Sequence, residues 1–477
     1  MSVLPEIFAK AAEQHGPKLA LIDGTGRSIS FGELAVSARA YAARLEGRGV
    51  TQGTRVLVAA PIGIDLYIIL AGLWQIGAVA VFPEPQMGLR GLLNAVKIAG
   101  PRAFACSGAY RWLKLLPQLW TLPAITPKSG GQAAPTGPLP AAQAPALISF
   151  TSGSTGTPKA IERSHAFLMA QHAAVAPLLA SPNEERDLVA FPIFALINLA
   201  AGRTSILPDW PLGKPAQVTP AHLAGYLRST RATRALLPPA LCTVLSHAQH
   251  PPALHSLFTG GGPVFPDMID ALLAAAPDLQ ITSVYGSTEA EPIAHLHAAE
   301  ITQQDRADMA SGAGLLAGPP VPQVQIKLDK GEILVSGDHV NKGYLDPARD
   351  AENKLKDGDT IWHRTGDAGR LDDTGRLWLL GRIGAAVDGP QGPIHPFAIE
   401  TAARQWPGVR EAALGTANGT PTLAIKGDRS HLPEWKAKAA AMGVIRLQPV
   451  RALPYDRRHG SKIDAAALRK LLEAAQP

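Results

Sequence analysis

Cysteine is nearly absent from this chain. Cys106 and Cys242 stand far apart in unrelated contexts. That excludes a disulfide framework or a metal-ligand spacing and predicts two reduced, buried thiols. No Lys/Arg block interrupts the sequence, and a net charge of +6 is spread thinly over 477 residues, which speaks against a nucleic-acid partner. Charged residues make up only 18% against 46% hydrophobic, a balance that builds buried cores and excludes wholesale disorder. A membrane-spanning run is missing too. Leu66 to Phe82 comes nearest, but it holds Gln75, Gly72 and Gly77 and falls short of the roughly 20 residues a span needs. It reads as a buried helix, a glycine stop and a core strand. The opening MSVLPEIFAKAAEQH carries an acid and no apolar core segment, so no signal peptide is expected and the cytoplasm is the expected location.

What is present is alternation. Arg55–Ala59, Ala78–Phe82 and Ala103–Ala105 read as strands, with helical patterns between them and at 90–99. That is the signature of a parallel sheet wrapped by helices. A Pro/Ala/Gly/Gln-rich stretch from Pro123 to Pro145 reads as a surface loop between two lobes, followed by the strand Ala146–Phe150 and a helix near His165. Leu254–Thr259 and Ile281–Tyr285 repeat the strand-then-glycine pattern, and from Gly331 onward short strands and turns predict a β-rich subdomain. After Arg382 a Gly/Pro-rich stretch precedes a last segment with its own alternation. The length fits two or three domains. The expected architecture is therefore α/β: a large N-terminal part, residues 1–381, of stacked parallel-rich sheets with helices plus a β-rich subdomain, and a small mobile α+β domain, residues 382–477.

The most informative segment is Thr151-Ser152-Gly153-Ser154-Thr155-Gly156-Thr157-Pro158-Lys159, directly after a predicted buried strand. Its glycines let the backbone turn amides inward, its hydroxyls donate, and Lys159 adds a cation, which together suit a polyphosphate. No Gly-Lys-Ser/Thr follows, so it is not a Walker A loop.

This loop resembles the phosphate signature of the adenylate-forming superfamily: acyl-CoA synthetases, luciferases and peptide-synthetase adenylation domains. Further signatures follow in order. Tyr285-Gly286-Ser287-Thr288-Glu289 resembles the aromatic-Gly-x-Thr-Glu motif, and Arg364-Thr365-Gly366-Asp367 the ribose-binding motif. Gly381-Arg382 resembles the arginine before the hinge, Lys462 in RRHGSKID the lysine of the mobile domain, and Gly260-Gly261-Gly262-Pro263 the adenine-side loop. The resemblance runs from about Phe8 to the end.

It implies ATP and Mg²⁺, and it implies roles. Tyr285 offers a ring face to adenine, with a plain core tyrosine as the alternative, while Gly261, Gly262 and Gly286 let backbone approach the nucleotide. Thr288 can donate to the α-phosphate, and Glu289 offers a hard oxygen to Mg²⁺. Asp367 can accept from the ribose hydroxyls, Arg382 can donate to ribose or phosphate, and Lys462 can neutralise charge on carboxylate and α-phosphate. Asp372 and Asp373 read as turn residues. His165, His295, His297 and His363 form no catalytic or zinc-binding spacing and read as surface or packing residues.

The expected first step joins a carboxylic acid, fatty or hydroxy-fatty, to AMP with release of pyrophosphate. The commonest superfamily outcome is then transfer to a thiol, CoA or an acyl carrier protein. The alternative rests on FPIFALINLAAGRTSILPD, IWHRTGDAGRLDDTGRLWLLGR and RRHGSKI, which resemble the β-lactone synthetases of bacterial olefin biosynthesis. A nucleotide-binding pseudoenzyme is the third possibility, and the intact Lys159, Thr288, Glu289, Asp367, Arg382 and Lys462 argue against it. Gly384, Ala385, Ala386 and Asp388 depart from the usual hinge pattern, which disfavours the thiol step, and Gly384 and Gly389 give that linker rotational freedom. Phe191 to Leu199 either lines the acyl pocket or is plain helix core.

Overall fold

The computed structural model describes residues 2–83, 87–128, 130–131, 133–151, 159–249, 253–390, 392–456 and 460–474. Two sheets dominate it. In the first, the strands Ala124–Ile125, Ala103–Cys106, Arg55–Ala59, Val79–Phe82, Pro145–Thr151 and Lys159–Ser164 lie side by side in that order. All neighbours are parallel except the last pair. The second runs Ala290–His297, Gln280–Ser287, Ser256–Gly260, Arg234–Leu237, Arg186–Val189, Thr204–Ile206, Leu19–Ile22, Ser28–Ser30. It is parallel at its centre and antiparallel at both edges.

Between the sheets lies one large core, where the helices Phe31–Glu46, Ile64–Gln75 and Pro192–Ala200 meet strand residues from both sides, such as Val56, Val58 and Val189. The helix Ile64–Gln75 is apolar nearly all round, as a helix buried on every side must be. Gly77, at φ +66°, supplies the left-handed residue that ends it before the strand Val79–Phe82. Trp74 donates its indole N–H to the Ala146 carbonyl (2.8 Å) and Tyr41 its hydroxyl to that of Ile125 (2.9 Å), so these buried aromatics leave no polar atom stranded. Outside the sheets, separate cores form under Leu223, Leu241 and Ile269 on one side and under Leu92, Leu113 and Leu119 on the other.

The stretch Pro123–Pro145 does not join two lobes, as the sequence reading expects. It carries the edge strand Ala124–Ile125 and returns to Pro145–Thr151 in the same sheet. A second strand, Lys159–Ser164, intervenes before the helix His165–Val175 and was not expected.

The β-rich part is real: Leu315–Gly318, Leu377–Arg382, Thr360–Leu371, Glu332–Ser336 and Gln325–Asp329 form an antiparallel sheet, with Lys354–Asp357 paired to its longest strand. Asp372 folds a tight turn there, accepting from Thr374, Arg376 and Trp378. Beyond it, the strands Val409–Ala417, Thr420–Gly427 and Arg446–Pro449 make a small sheet, with the helices Pro396–Ala403, Leu432–Ala441 and Ala465–Ala474 around it. Cys106 and Cys242 are buried free thiols.

Candidate active site

Parallel strands present ligands at their carboxyl ends, and the predicted motifs sit there. Pro145–Thr151 ends at the phosphate loop; Thr151 closes that strand, and Ser152, Gly153, Ser154, Thr155, Gly156 and Thr157 lie outside the described residues. Ser256–Gly260 ends in the glycine turn, and Gln280–Ser287 in the hairpin that carries Thr288 and Glu289.

Gly261, Gly262, Tyr285, Gly286, Asp367, Arg382 and Lys462 line one cleft of about 1050 Å³ between the larger part and the small C-terminal sheet. Asp367 and Arg382 are direct neighbours across two antiparallel strands. Arg382 Nε lies 3.2 Å from Asp367 Oδ1 and its Nη1 donates to the Thr365 carbonyl at 2.7 Å. Tyr285 donates its hydroxyl to Asp367 Oδ2 at 2.8 Å. Burial, and then the charge of Asp367, raise the Tyr285 phenol well above its ordinary value, so it acts as a fixed donor and a flat ring.

Lys462 reaches the cleft from the other side. Its turn is pinned by its own amide on Asp456 Oδ1 (2.9 Å) and by the Asp456 amide on its carbonyl (2.8 Å). The preceding Ser461 accepts the Ala240 amide at 3.1 Å. A Cβ on Gly262 would lie 2.6 Å from that of Ser461, so only glycine lets the two segments meet. Arg404 adds a second tie, an ion pair to Asp267 at 2.9 Å with its guanidinium 4.2 Å above the Phe265 ring.

Thr288, Glu289 and Lys159 do not line this cleft. They belong to a polar cluster at the hairpin turn whose other members sequence reasoning missed. Tyr344 donates to Glu289 Oε1 (3.2 Å), the Asn341 amide to the Glu289 carbonyl (2.7 Å) and Arg163 to the Thr288 carbonyl. Lys159 donates to Asn353 Oδ1 (2.7 Å) and lies 5.5 Å from the Tyr344 ring centre, with Lys354 at 5.2 Å. His363 is buried here, its Nδ1 3.2 Å from Lys354 Nζ. The sequence reading expected a surface or packing histidine, and it packs here, beside the carboxylate predicted to take the metal.

Burial opposes ionisation of Glu289, but the neighbouring His363 first, then a backbone hydrogen bond, the Tyr344 hydroxyl and Arg163, hold it below the usual range. Burial, then the charge of Lys354, push His363 down to about 4, and burial pushes Lys354 down to about 8. The cluster thus sets Arg163 and Lys354 near the Glu289 carboxylate, with Lys159 by the Tyr344 ring and Asp350 accepting the Tyr344 amide at 2.9 Å. Alternation along Lys159–Ser164 could have flagged Arg163; nothing local in the sequence marks Tyr344 or Lys354.

Glu289 suits Mg²⁺, since a hard oxygen donor beside phosphates is what that ion takes. No group of three or more His, Cys, Asp or Glu forms a self-sufficient metal site among the described residues.

The segment Phe191–Leu199 does two things. Asn198 donates to Asp187 Oδ2 and Ser205 Oγ (both 3.0 Å) inside the core, beside the bidentate Arg234–Asp187 pair. Phe191 and Phe194 instead line a cavity of about 30 Å³ with Leu178, Val284, Gly261 and Glu291.

Known structures share this architecture. An amide bond synthetase, McbA from Marinactinospora thermotolerans, superimposes with a TM-score of 0.80 at 22% identity, covering 98% of this chain and 100% of its own. The o-succinylbenzoate coenzyme A synthetase MenE from Bacillus subtilis, solved with ATP and magnesium, gives 0.78 at 19% identity, covering 98% of each chain. The fold is that of the adenylate-forming enzymes. Residues 8–345 match the model of the AMP-binding enzyme family, and the chain belongs to that family as an adenylate-forming ligase. Among named relatives, the olefin β-lactone synthetase of Stenotrophomonas maltophilia (strain K279a) is 28% identical over 91% of this chain and 90% of its own. That of Xanthomonas campestris is 29% identical over 83% and 79%.

Proposed function

We propose that this enzyme activates a β-hydroxy carboxylic acid as its acyl-AMP and that the substrate's own hydroxyl then displaces AMP, giving a β-lactone. The observation that carries the first step is the Lys462 turn, docked through Ser461 on Ala240 and Gly262, facing Tyr285, Asp367 and Arg382 across one cleft. In this reading Asp367 and Arg382 hold the ribose and Tyr285 stacks on adenine. Thr151 to Gly156, with Lys159, cradle the outgoing phosphates. Thr288 and Lys462 meet the charge that builds on the α-phosphate while a carboxylate oxygen attacks phosphorus and pyrophosphate leaves. Mg²⁺ held by Glu289 would neutralise phosphate charge.

Two relatives named as β-lactone synthetases, aligned over most of the chain, favour intramolecular closure over a thiol acceptor. The departure at Gly384 to Asp388 favours it too. Gly384 itself is not in a left-handed conformation, and a side chain there would meet nothing, so the hinge freedom read from that glycine is not used in this orientation. In ring closure the hydroxyl oxygen bonds to the acyl carbon, the bond to AMP breaks and one proton must be accepted. Glu291, a carboxylate lining the small cavity, is the group we assign to take it. The chain divides between 381 and 382 in this scheme, and the smaller part swings to release product in the cytoplasm.

Incubation with ATP, Mg²⁺ and a β-hydroxy acid, with and without CoA, tests it by product mass. AMP and a neutral product one water lighter than the acid should form without thiol. The 3-deoxy acid should stop at the adenylate, because it lacks the tethered nucleophile, and Glu291→Gln should accumulate adenylate. A CoA thioester as the only product would replace this reading with thiol ligation.

A further inference from the structure

From Pro85 to Ile161 the chain contains no aspartate or glutamate, yet it carries Arg90, Lys97, Arg102, Arg111, Lys114, Lys128 and Lys159. In the middle of this acid-free stretch, the 3₁₀ helices Gly108–Leu115 and Pro117–Leu119 and the Trp120 that follows hold three large apolar side chains in solvent. Trp112 is 53% exposed, Leu115 74% and Trp120 63%. They are not loose. Leu113 and Leu119 anchor the segment in the core beneath. Lys114 Nζ donates to the carbonyls of Leu119 (2.9 Å), Trp120 (2.8 Å) and Leu122, and the Trp120 indole N–H donates to the Leu115 carbonyl at 3.0 Å. The side chains that could have folded inward are held outward.

The helix Gly88–Ala99 lies on the same face of the sheet. The crossovers from Val79–Phe82 to Ala103–Cys106 and on to Ala124–Ile125 step the same way across it, and right-handed connections then put both linkers on one side. Leu92 and Ala95 of that helix share one core with Leu113 and Leu119. Its exposed Leu89, Arg90 and Lys97, together with exposed Arg102 and Arg111, therefore add to the patch.

We infer that this face docks on an anionic lipid surface. Two indoles and a leucine at the centre, cations around them and no carboxylate in the segment are what an interfacial contact requires. The indoles sit at headgroup depth, the leucine reaches the acyl boundary, and arginine and lysine pair with anionic headgroups. A nucleic-acid site would instead place the cations at the centre, where phosphates track. No helix among the described residues is long and apolar enough to cross a membrane, so the contact is peripheral and reversible.

The test is sedimentation of the full chain with vesicles of phosphatidylcholine alone or mixed with phosphatidylglycerol. Binding to the mixed vesicles should weaken with salt and shift tryptophan emission to the blue. Combined Trp112→Ser, Leu115→Ser and Trp120→Ser should lower the affinity at least about tenfold, and Arg111→Glu about fivefold or more. Both variants should keep ATP–pyrophosphate exchange with a soluble acid in lipid-free solution, which shows that they fold. Failure of the native chain to sediment, or equal sedimentation of the triple variant, would overturn the assignment. Equal binding to neutral vesicles would remove its anionic part. Self-association of the native chain that the triple variant abolishes, with no vesicle binding by either, would make the patch a protein interface instead.

Discussion

The two halves of the candidate site are built on opposite plans. On the side proposed for the nucleotide the cleft stands open at about 1050 Å³, and its polar groups already hold one another: Tyr285 on Asp367, Asp367 on Arg382, Arg382 on Thr365. On the side proposed for the acid, the cavity beside Phe191 and Phe194 measures about 30 Å³, room for only a few waters. Hydrogen bonds have directions and fix a shape before the ligand arrives, whereas apolar side chains fill whatever space is left to them. In the proposed function ATP meets a preformed surface, and the acid displaces Phe191, Phe194 or their neighbours to enter.

The sharpest way to test the preformed half is Lys462→Ala. Acid-dependent pyrophosphate release should fall about 10²–10³-fold, the usual cost of losing one donor to developing charge. ATP affinity should stay close to native, because Lys462 is exposed and enters the cleft from the small C-terminal part. Near-normal pyrophosphate release would show that the Lys462 turn is only a docking element. Asp367→Ala should instead weaken ATP binding by about 1–3 kcal/mol, since it removes the acceptor of the buried Tyr285 hydroxyl and the one proposed for the ribose. Titration calorimetry that finds native affinity would place Asp367 outside the site.

The same contrast explains what was legible in the sequence. Tyr285, Asp367, Arg382 and Lys462 stand in short motifs whose polar residues have one spacing that works, and they meet in one cleft. The alternation of strands and helices was equally readable because burial on both sheet faces demands it. Tyr344, Lys354 and His363 were not readable, and Arg163 only through the alternation of its strand: the four come from different elements and loops and become neighbours only when the β-rich sheet packs on the hairpin of Thr288 and Glu289. The run Pro123–Pro145 misled because loop composition marks a surface, not the pair of elements it joins. Phe191–Leu199 left core and pocket undecided, and the helix turned out to present Asn198 to the core and Phe191 to the cavity.

Glu400 tests whether the small C-terminal part is as settled as the cleft it faces. It is fully buried at the cleft wall and accepts the Leu414 amide at 2.9 Å. Burial raises its pKa from 4.5 to about 7. The folded chain therefore holds a proton that the unfolded chain has lost, so stability falls as pH rises from about 4.5 to about 7 and levels off above. The loss is on the order of 1–3 kcal/mol. Glu400→Gln keeps an acceptor for Leu414 and removes the titration. Its thermal midpoint should exceed the native one at pH 8 and match it near pH 4.5. Parallel pH profiles for the two proteins would show that Glu400 titrates normally.

The smallest effect belongs to the adaptable half. Phe191 is only half-buried, touches Phe194 with ring centres 6.0 Å apart and borders the 30 Å³ cavity. Phe191→Ala therefore removes bulk where the acid is proposed to enter, without opening a sealed void in the core. Apolar contacts of this size discriminate between substrates by about 1–3 kcal/mol at most, and part of that range is spent because the flexible neighbours relax into the space. The ratio of kcat/KM for a long-chain over a short-chain acid should rise by about tenfold or less, with ATP affinity unchanged. If the lining instead forms a rigid wall, the variant gains nothing for long acids and loses stability alone, and the two sides of the site would then differ in size but not in kind. A rise in the ratio at constant ATP affinity would establish that chain length is read by side chains that yield, against a nucleotide surface that does not.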